Sequence, residues 1–243
     1  MFAALRLIEL GLKPILLERG KEVGERRRDI AQIHRGAGVD GESNYAFGEG
    51  GAGTFSDGKL FTRSKKRGDY NRALQTLVFH GASPEILYEA HPHIGTDRLP
   101  KIIERVRGTI VASGGEIHFG AKVTDIQIKN NRAVGVWVGD SLVEGAAVVL
   151  ATGHSADDIY EMLHAKGVLL EAKPWAMGVR VEHPQEVIDR IQYHSDDMRE
   201  WLPAASYTLT AQVGGRGVYS FCMCPGGVIV PAMTDYRECV VNG

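Results

Sequence analysis

The sequence has almost no net charge, few cysteines and no long apolar run. Its 28 lysines and arginines nearly balance 30 aspartates and glutamates, so the chain lacks a positive field for nucleic acid or an anionic membrane. Three cysteines without a C-x-x-C spacing are too few for a disulfide framework and do not suggest a zinc site. No apolar run reaches the roughly 20 residues of a membrane-spanning helix. We therefore expect no nucleic-acid, membrane or metal partner.

The N-terminal segment, MFAALRLIELGLK, is predicted to be a helix and not a secretory signal. It has no basic start, and Arg6 and Glu9 interrupt its apolar residues, so a cytoplasmic location is predicted. Gly11 is a natural helix end. The following KPILLERG is a short apolar run with Glu18 near its end, as is typical of a buried parallel strand. Helix followed by strand is half of a βαβ unit.

Residues 48–59, GEGGAGTFSDGK, fit two nucleotide signatures at once. Gly48, Gly50 and Gly53 have the G-x-G-x-x-G spacing, whereas Gly53, Gly58 and Lys59 have the G-x-x-x-x-G-K spacing. Neither lies between a strand and a helix, and the second signature lacks its Ser or Thr. A loop so rich in glycine can still bring its backbone close to a ligand. The alternative is a flexible surface loop.

The rest of the chain alternates helices and strands before a more strand-rich end. LPKIIERVRGTIVASGG is predicted to be a helix capped by Thr96 or Asp97 and stopped by Gly114 and Gly115. EIHFGAKVTDIQIK and AVGVWVG are predicted strands joined by a tight turn at two asparagines. AAVVLATG is predicted to be a buried apolar strand. Beyond residue 155, one helix, PQEVIDRIQY, lies among AMGVRVEH, SYTLTAQV, GVYSFCMC and GGVIVPAM, which predict an antiparallel sheet.

Several of these segments together resemble the bacterial FAD-dependent oxidoreductases known as NAD(FAD)-utilising dehydrogenases. They are ILLERG, FGEGGAGTFSDGKL, HPHIGTDRL and VVLATGHSADD, and the resemblance covers nearly the whole chain. It implies an α/β fold, with a Rossmann-like FAD-binding domain over 1–155 and a mixed or antiparallel β substrate layer over 156–243. The implied reaction moves a hydride or electrons through bound FAD.

The resemblance also implies which residues contact FAD. Glu18 would accept hydrogen bonds from the adenosine ribose, the glycine-rich loop would lie along the flavin and pyrophosphate, and Val123 would offer its backbone to adenine. One arginine of the run at 26–28 would neutralise the pyrophosphate, since a guanidinium donates two parallel hydrogen bonds to phosphate. The full expected set is Glu18, Arg19, Arg26, Gly50, Gly51, Gly53, Thr54, Val123, Ala151, Thr152 and Gly153. No catalytic residue is assigned.

The expected partners are a small-molecule substrate or an electron donor such as a reduced nicotinamide. The first glycine of a dinucleotide unit should precede the ribose-binding acid by about 20 residues, which from Glu18 falls before Met1. We therefore expect a fragment that lacks the glycine-rich strand and turn, and its C-terminal part as well. Such a chain alone would bind FAD weakly or not at all until an upstream segment restored that strand and turn. The alternative function is a non-catalytic fragment or interaction module derived from such a flavoprotein.

Overall fold

The computed structural model describes residues 1–62, 68–195, 200–220 and 223–242. The α-helices in these ranges are α1 (Phe2–Glu9), α2 (Val23–His34), α3 (Tyr70–Phe79), α4 (Leu99–Ala112), α5 (Asp157–Ala165) and α6 (Gln185–Tyr193). The strands are β1 (Ile15–Leu17), β2 (Glu116–His118), β3 (Val123–Lys129), β4 (Arg132–Val138), β5 (Ser141–Glu144), β6 (Thr210–Val213), β7 (Arg216–Tyr219), β8 (Val230–Pro231) and β9 (Val241–Asn242). Helix and sheet are mixed, as an α/β class requires.

The chain divides into two compact units. One comprises Met1–Ala172 with Ala232–Glu238, and the other comprises Lys173–Pro231 with Cys239–Gly243. The predicted division after residue 155 stays a prediction. None of the helices in the described ranges is long and apolar enough to cross a bilayer.

The larger unit contains a parallel pair of strands connected through helices. β1 and β2 pair in parallel, with Leu16 opposite Ile117, and helices α2 to α4 lie between them in the chain. Behind this pair, α1, α3 and α4 form a core of buried apolar side chains that includes Leu74, Ile102 and Ile110. This crossover confirms the predicted parallel strand after α1. A complete Rossmann sheet is not formed by these two strands.

The larger unit also contains a β-meander of β3, β4 and β5. β3 and β4 pair antiparallel through Asn130 and Asn131, whose φ angles of 51° and 59° form the tight turn expected at this site. β4 then pairs with β5. The predicted hairpin is confirmed. α4 also forms as predicted, but it begins later, with Arg98 at its N-cap instead of Thr96 or Asp97.

The apolar segment 146–153 is not a strand, so that prediction is wrong. Val149 and Leu150 are 66% and 45% exposed, and the segment is paired with no strand of the described residues. A strand needs a neighbour that satisfies its N–H and C=O groups, and hydrophobicity alone does not supply one. AMGVRVEH forms no strand for the same reason.

The smaller unit contains α6 and two antiparallel pairs, β6 with β7 and β8 with β9. The helix prediction for PQEVIDRIQY is confirmed, and antiparallel pairing is confirmed for β6 and β7. Part of GVYSFCMC lies outside the described residues. Pro225 and Gly226 form a turn closed by a bond of 2.9 Å from the Gly227 N–H to the Cys224 carbonyl, with Gly226 at φ +80°.

Candidate functional site at the carboxyl end of β1

Glu18 directly follows β1, where its carboxylate anchors two backbone segments. Its Oε1 accepts hydrogen bonds from the N–H of Gly20 at 2.9 Å and of Gly48 at 3.0 Å. The second oxygen makes no hydrogen bond to any residue the structure describes. One oxygen of Glu18 therefore ties the glycine-rich loop to the end of β1. The other oxygen can accept a hydrogen bond from a ligand.

The N-terminal end of α1 lies close to this carboxylate. Met1 at the start of this helix is near enough to Glu18 to interact with its negative charge. Met1 is the N-cap of α1. The N–H end of a helix and a strand-end carboxylate are thus neighbours, which is the arrangement found beside the pyrophosphate and ribose in dinucleotide folds.

The glycine-rich loop is anchored on its inner side by Glu49 and Thr54. Glu49 is buried, and its Oε2 accepts a hydrogen bond of 2.8 Å from the N–H of Val23 in the first turn of α2. The Thr54 hydroxyl is also buried and donates to the Glu49 carbonyl at 3.0 Å. Thr54 therefore stabilises the loop from within. The inner side of the loop is thus held in place, while Ala52 and Gly53 on its outer side are exposed, as a surface loop would have them.

The outer edge of the loop is a short 3₁₀ helix, Gly51–Gly53, with open space beside it. A side chain added at Gly51 or Gly53 would meet no atom of the chain within 4 Å. Gly51 has φ +74°, whereas Gly53 does not have a positive φ. A side chain on Gly50 would instead overlap the Thr54 hydroxyl. Gly51 and Gly53 thus border a space that could admit a ligand, and Gly50 is required by the loop itself.

The two expected arginines both bond to the protein. Arg19 is ion-paired with Asp158 and, at 3.2 Å, with Glu42, and its guanidinium lies over the ring of Phe47. Arg26 is fully buried and bonds to backbone carbonyls. Arg19 therefore connects the end of β1 to α5.

The remaining expected residues are Val123 and the segment 151–153, and the two differ in how they are connected to this site. Val123 begins β3, two residues after Ala121, whose N–H donates to the Glu18 carbonyl at 2.9 Å. The segment 151–153 is exposed, and no described hydrogen bond joins it to the glycine-rich loop. Shortly after it, Ala156 packs against Phe47, the residue directly before that loop. Glu18, the loop and the start of β3 are therefore brought together, whereas no described hydrogen bond joins residues 151–153 to them.

A second loop, 91–97, pairs with the end of the glycine-rich loop, and sequence reasoning missed this contact. Leu60 N–H donates to Pro92 carbonyl at 2.9 Å, Ile94 N–H to Gly58 carbonyl at 3.2 Å, and Gly95 N–H to Asp57 carbonyl at 2.9 Å. Lys59 and His93 form an antiparallel bridge. Both segments are among those that carry the family resemblance. This was the signal in the sequence that could have indicated their contact. The two quoted motifs thus form one continuous loop surface.

The carboxyl of Glu49 has a raised pKa in this site. Its side chain is 2% exposed, and burial raises the pKa of its carboxyl above the ordinary value, although the Val23 N–H and Arg107, with Nε 3.1 Å from Oε1, oppose the shift. A buried carboxylate is costly unless it is paired. The folded protein consequently binds a proton at Glu49 more readily than the unfolded chain does.

This shift predicts a pH dependence of stability. Because the folded pKa is the higher one, the contribution of Glu49 to the free energy of unfolding falls as pH rises from about 4.3, the usual glutamate value, through the raised pKa. We expect the difference in unfolding free energy between wild type and Glu49→Gln to decrease across that window, as measured by urea unfolding at several pH values. The exposed Glu161→Gln is the control. A difference independent of pH would contradict the prediction.

Comparisons with known proteins point to flavin. Residues 174–243 match the family described as FAD-dependent protein, C-terminal domain-like. The chain is 44% identical over 245 residues to an uncharacterized protein of Clostridium beijerinckii, covering 100% of this chain and 46% of that protein. It is 25% identical over 225 residues to the probable electron transfer flavoprotein-quinone oxidoreductase YdiS of Escherichia coli, covering 90% of this chain and 49% of that protein. The chain spans about half the length of these curated relatives. Together the likenesses support an FAD-dependent family.

Proposed function

We propose that the protein is an FAD-dependent oxidoreductase whose larger unit holds the adenosine ribose and part of the pyrophosphate and flavin. The observation that carries the proposal is the anchored glycine-rich loop, with open space along Gly51–Gly53, tied by Glu18 to the carboxyl end of β1. Ligands of α/β proteins bind at the carboxyl ends of parallel strands. The likenesses to an FAD-dependent domain and to a probable flavoprotein oxidoreductase support the same conclusion.

Some residues of this site are suited to contact FAD directly, and others are not. Glu18 offers an acceptor for ribose hydroxyls, and Gly51 and Gly53 leave room for a close approach to the backbone. Arg19 binds carboxylates, so we propose that it shapes the site without contacting phosphate. Bound FAD would supply hydride or electron transfer, and the protein residues would bind it, orient it and exclude water. A small-molecule substrate, a reduced nicotinamide as electron donor and a cytoplasmic location stay predictions.

Flavin content tests the proposal directly. The full-length product of the gene, and not the 243-residue chain alone, should purify with, or take up, FAD that absorbs at about 450 nm, as expected for a protein-held isoalloxazine. A colourless protein that stays colourless after dialysis against FAD would overturn the proposal. That outcome would favour a non-catalytic module.

Glu18→Gln separates cofactor binding from loop anchoring. The amide oxygen can still accept from the Gly20 and Gly48 N–H groups, but the charge and one acceptor oxygen are lost. We expect the affinity for FAD to fall by about 1.5 to 3 kcal/mol, roughly 10- to 150-fold, because hydrogen bonds to a charged group are lost. Fluorescence titration measures this effect. Unchanged affinity with unchanged stability would exclude Glu18 as the ribose ligand.

A further inference from the structure

Arg26, Arg27 and Arg28 are consecutive in α2, but only one of them faces inward. Arg26 is fully buried, whereas Arg27 and Arg28 are exposed. Two consecutive residues of a helix differ in direction by about 100°, so a run of three cannot share one environment. The helix thus selects a single guanidinium for the protein interior.

The buried guanidinium donates from every nitrogen to backbone carbonyls of residues 44–51, which include the start of the glycine-rich loop. Nε donates to the Asn44 carbonyl at 2.8 Å, and Nη2 donates to the carbonyls of Tyr45 and Gly51, each at 2.9 Å. Nη1 donates to the Glu49 carbonyl at 2.7 Å and to the Gly48 carbonyl at 3.3 Å. A guanidinium has five N–H donors, and this arrangement uses all five. No donor is left for a phosphate.

The surroundings keep this buried group charged. Burial lowers the pKa of Arg26 to about 10, opposed mainly by the negative charges of Glu18, Glu49 and Asp29. At neutral pH the guanidinium is therefore still protonated and donates charge-assisted hydrogen bonds, which are stronger than neutral ones. A side chain at Gly48 would collide with it, with a Cβ 2.8 Å from Nε. The backbone at Gly48 therefore packs directly against the Arg26 side chain, and the position of each depends on the other.

We infer that Arg26 is a positioning residue that holds residues 44–51 in the conformation that binds the cofactor, instead of a ligand of the pyrophosphate. The inference rests on the proposed function and replaces the phosphate contact expected from the sequence. By binding five carbonyl oxygens of residues 44–51, Arg26 fixes the loop backbone and leaves the open space beside Gly51 and Gly53 to the ligand. The loop is therefore shaped before FAD arrives, which lowers the entropy cost of binding.

Arginine side-chain NMR of the wild-type protein tests this assignment without a substitution. The Arg26 Nε–H signal should exchange slowly with solvent in the absence of FAD, and its chemical shift should change little when FAD is added. Arg27 and Arg28 should exchange fast and serve as internal controls. Fast exchange of the Arg26 Nε–H before FAD is added would overturn the inference. A large chemical-shift change on FAD binding, as expected for a guanidinium that contacts phosphate, would also overturn it.

Arg26→Lys tests the consequence for the cofactor. Lysine keeps the charge but has three donors and no planar fork, so it cannot bind five carbonyls. We expect faster hydrogen exchange in 44–54 with unchanged exchange in β3 and β4, and FAD affinity lower by about 10-fold or more, equivalent to 1.4 kcal/mol or more. Arg27→Lys and Arg28→Lys should alter neither. Normal loop exchange and affinity in Arg26→Lys would contradict the inference.

The two proposals fail in different ways. If the wild-type protein never binds FAD, the proposed function fails, and the positioning role for FAD fails with it even where the Arg26 signal is protected. If the wild-type protein binds FAD but the Arg26 signal moves on binding, only the positioning role fails. Should Arg26→Lys not fold, the wild-type NMR measurement still decides.

Discussion

Gly53→Val is expected to weaken FAD binding by about 10- to 100-fold while leaving the protein folded. The added side chain meets no atom of the chain within 4 Å, and Gly53 does not have a positive φ, so the backbone accepts it. If the cofactor lies along this edge, the valine occupies its space. Forcing extra carbons into a packed contact typically costs about 1 to 3 kcal/mol. The measurement is FAD affinity beside the free energy of unfolding.

Two other glycines complete this experiment. Gly108→Val, at an exposed position of α4 that also has open space, is the matched control and should leave FAD affinity unchanged. Gly51→Ala should lower stability by about 1 to 2 kcal/mol as well as affinity, because its φ of +74° is unfavourable for any residue with a Cβ. Normal FAD binding by Gly53→Val would mean that this edge of the loop faces solvent in the holoprotein.

Gly20→Ala is expected to lower the free energy of unfolding by about 3 kcal/mol or more. Its Cβ would lie 2.5 Å from Gly48 Cα, 2.6 Å from Gly48 N and 2.8 Å from the Glu42 carbonyl oxygen. All three are backbone atoms, so no side chain can rotate away. The estimate adds about 1 to 3 kcal/mol of overpacking to the loss of the Glu18 bond to Gly48. Urea unfolding measures the change.

Gly24→Ala provides the control for this substitution. Gly24 lies in α2, where an added Cβ meets only the flexible Glu22 side chain, with Oε1 at 3.3 Å. Alanine is favoured over glycine in a helix by up to about 1 kcal/mol, so the variant should be as stable as wild type or more stable. If Gly20→Ala unfolded at the same urea concentration as wild type, the two chain segments could not cross as closely as the structure has them.

Local patterns in the sequence determined much of the larger unit. Apolar spacing and glycine stops located α1 and α4, and two asparagines located the turn between β3 and β4. Glu18 was recognisable as a strand-end carboxylate because the apolar run before it ends there. These features depend on residues within one or two turns of each other, so the chain carries their signal locally.

Only the tertiary structure decided which groups meet across long stretches of chain. Three neighbouring arginines have nearly the same local sequence, yet Arg26 alone is enclosed, because the loop 18 to 25 residues later wraps around it. Position 20 requires glycine because the backbone of Gly48 packs directly against it. The residues next to Gly20 in the sequence do not indicate this close approach. The apolar segment before Ala151 shows the converse: its composition favours a strand, but a strand forms only where a partner backbone accepts its hydrogen bonds. Pairing and close approach are properties of the assembled chain, so no local pattern encodes them.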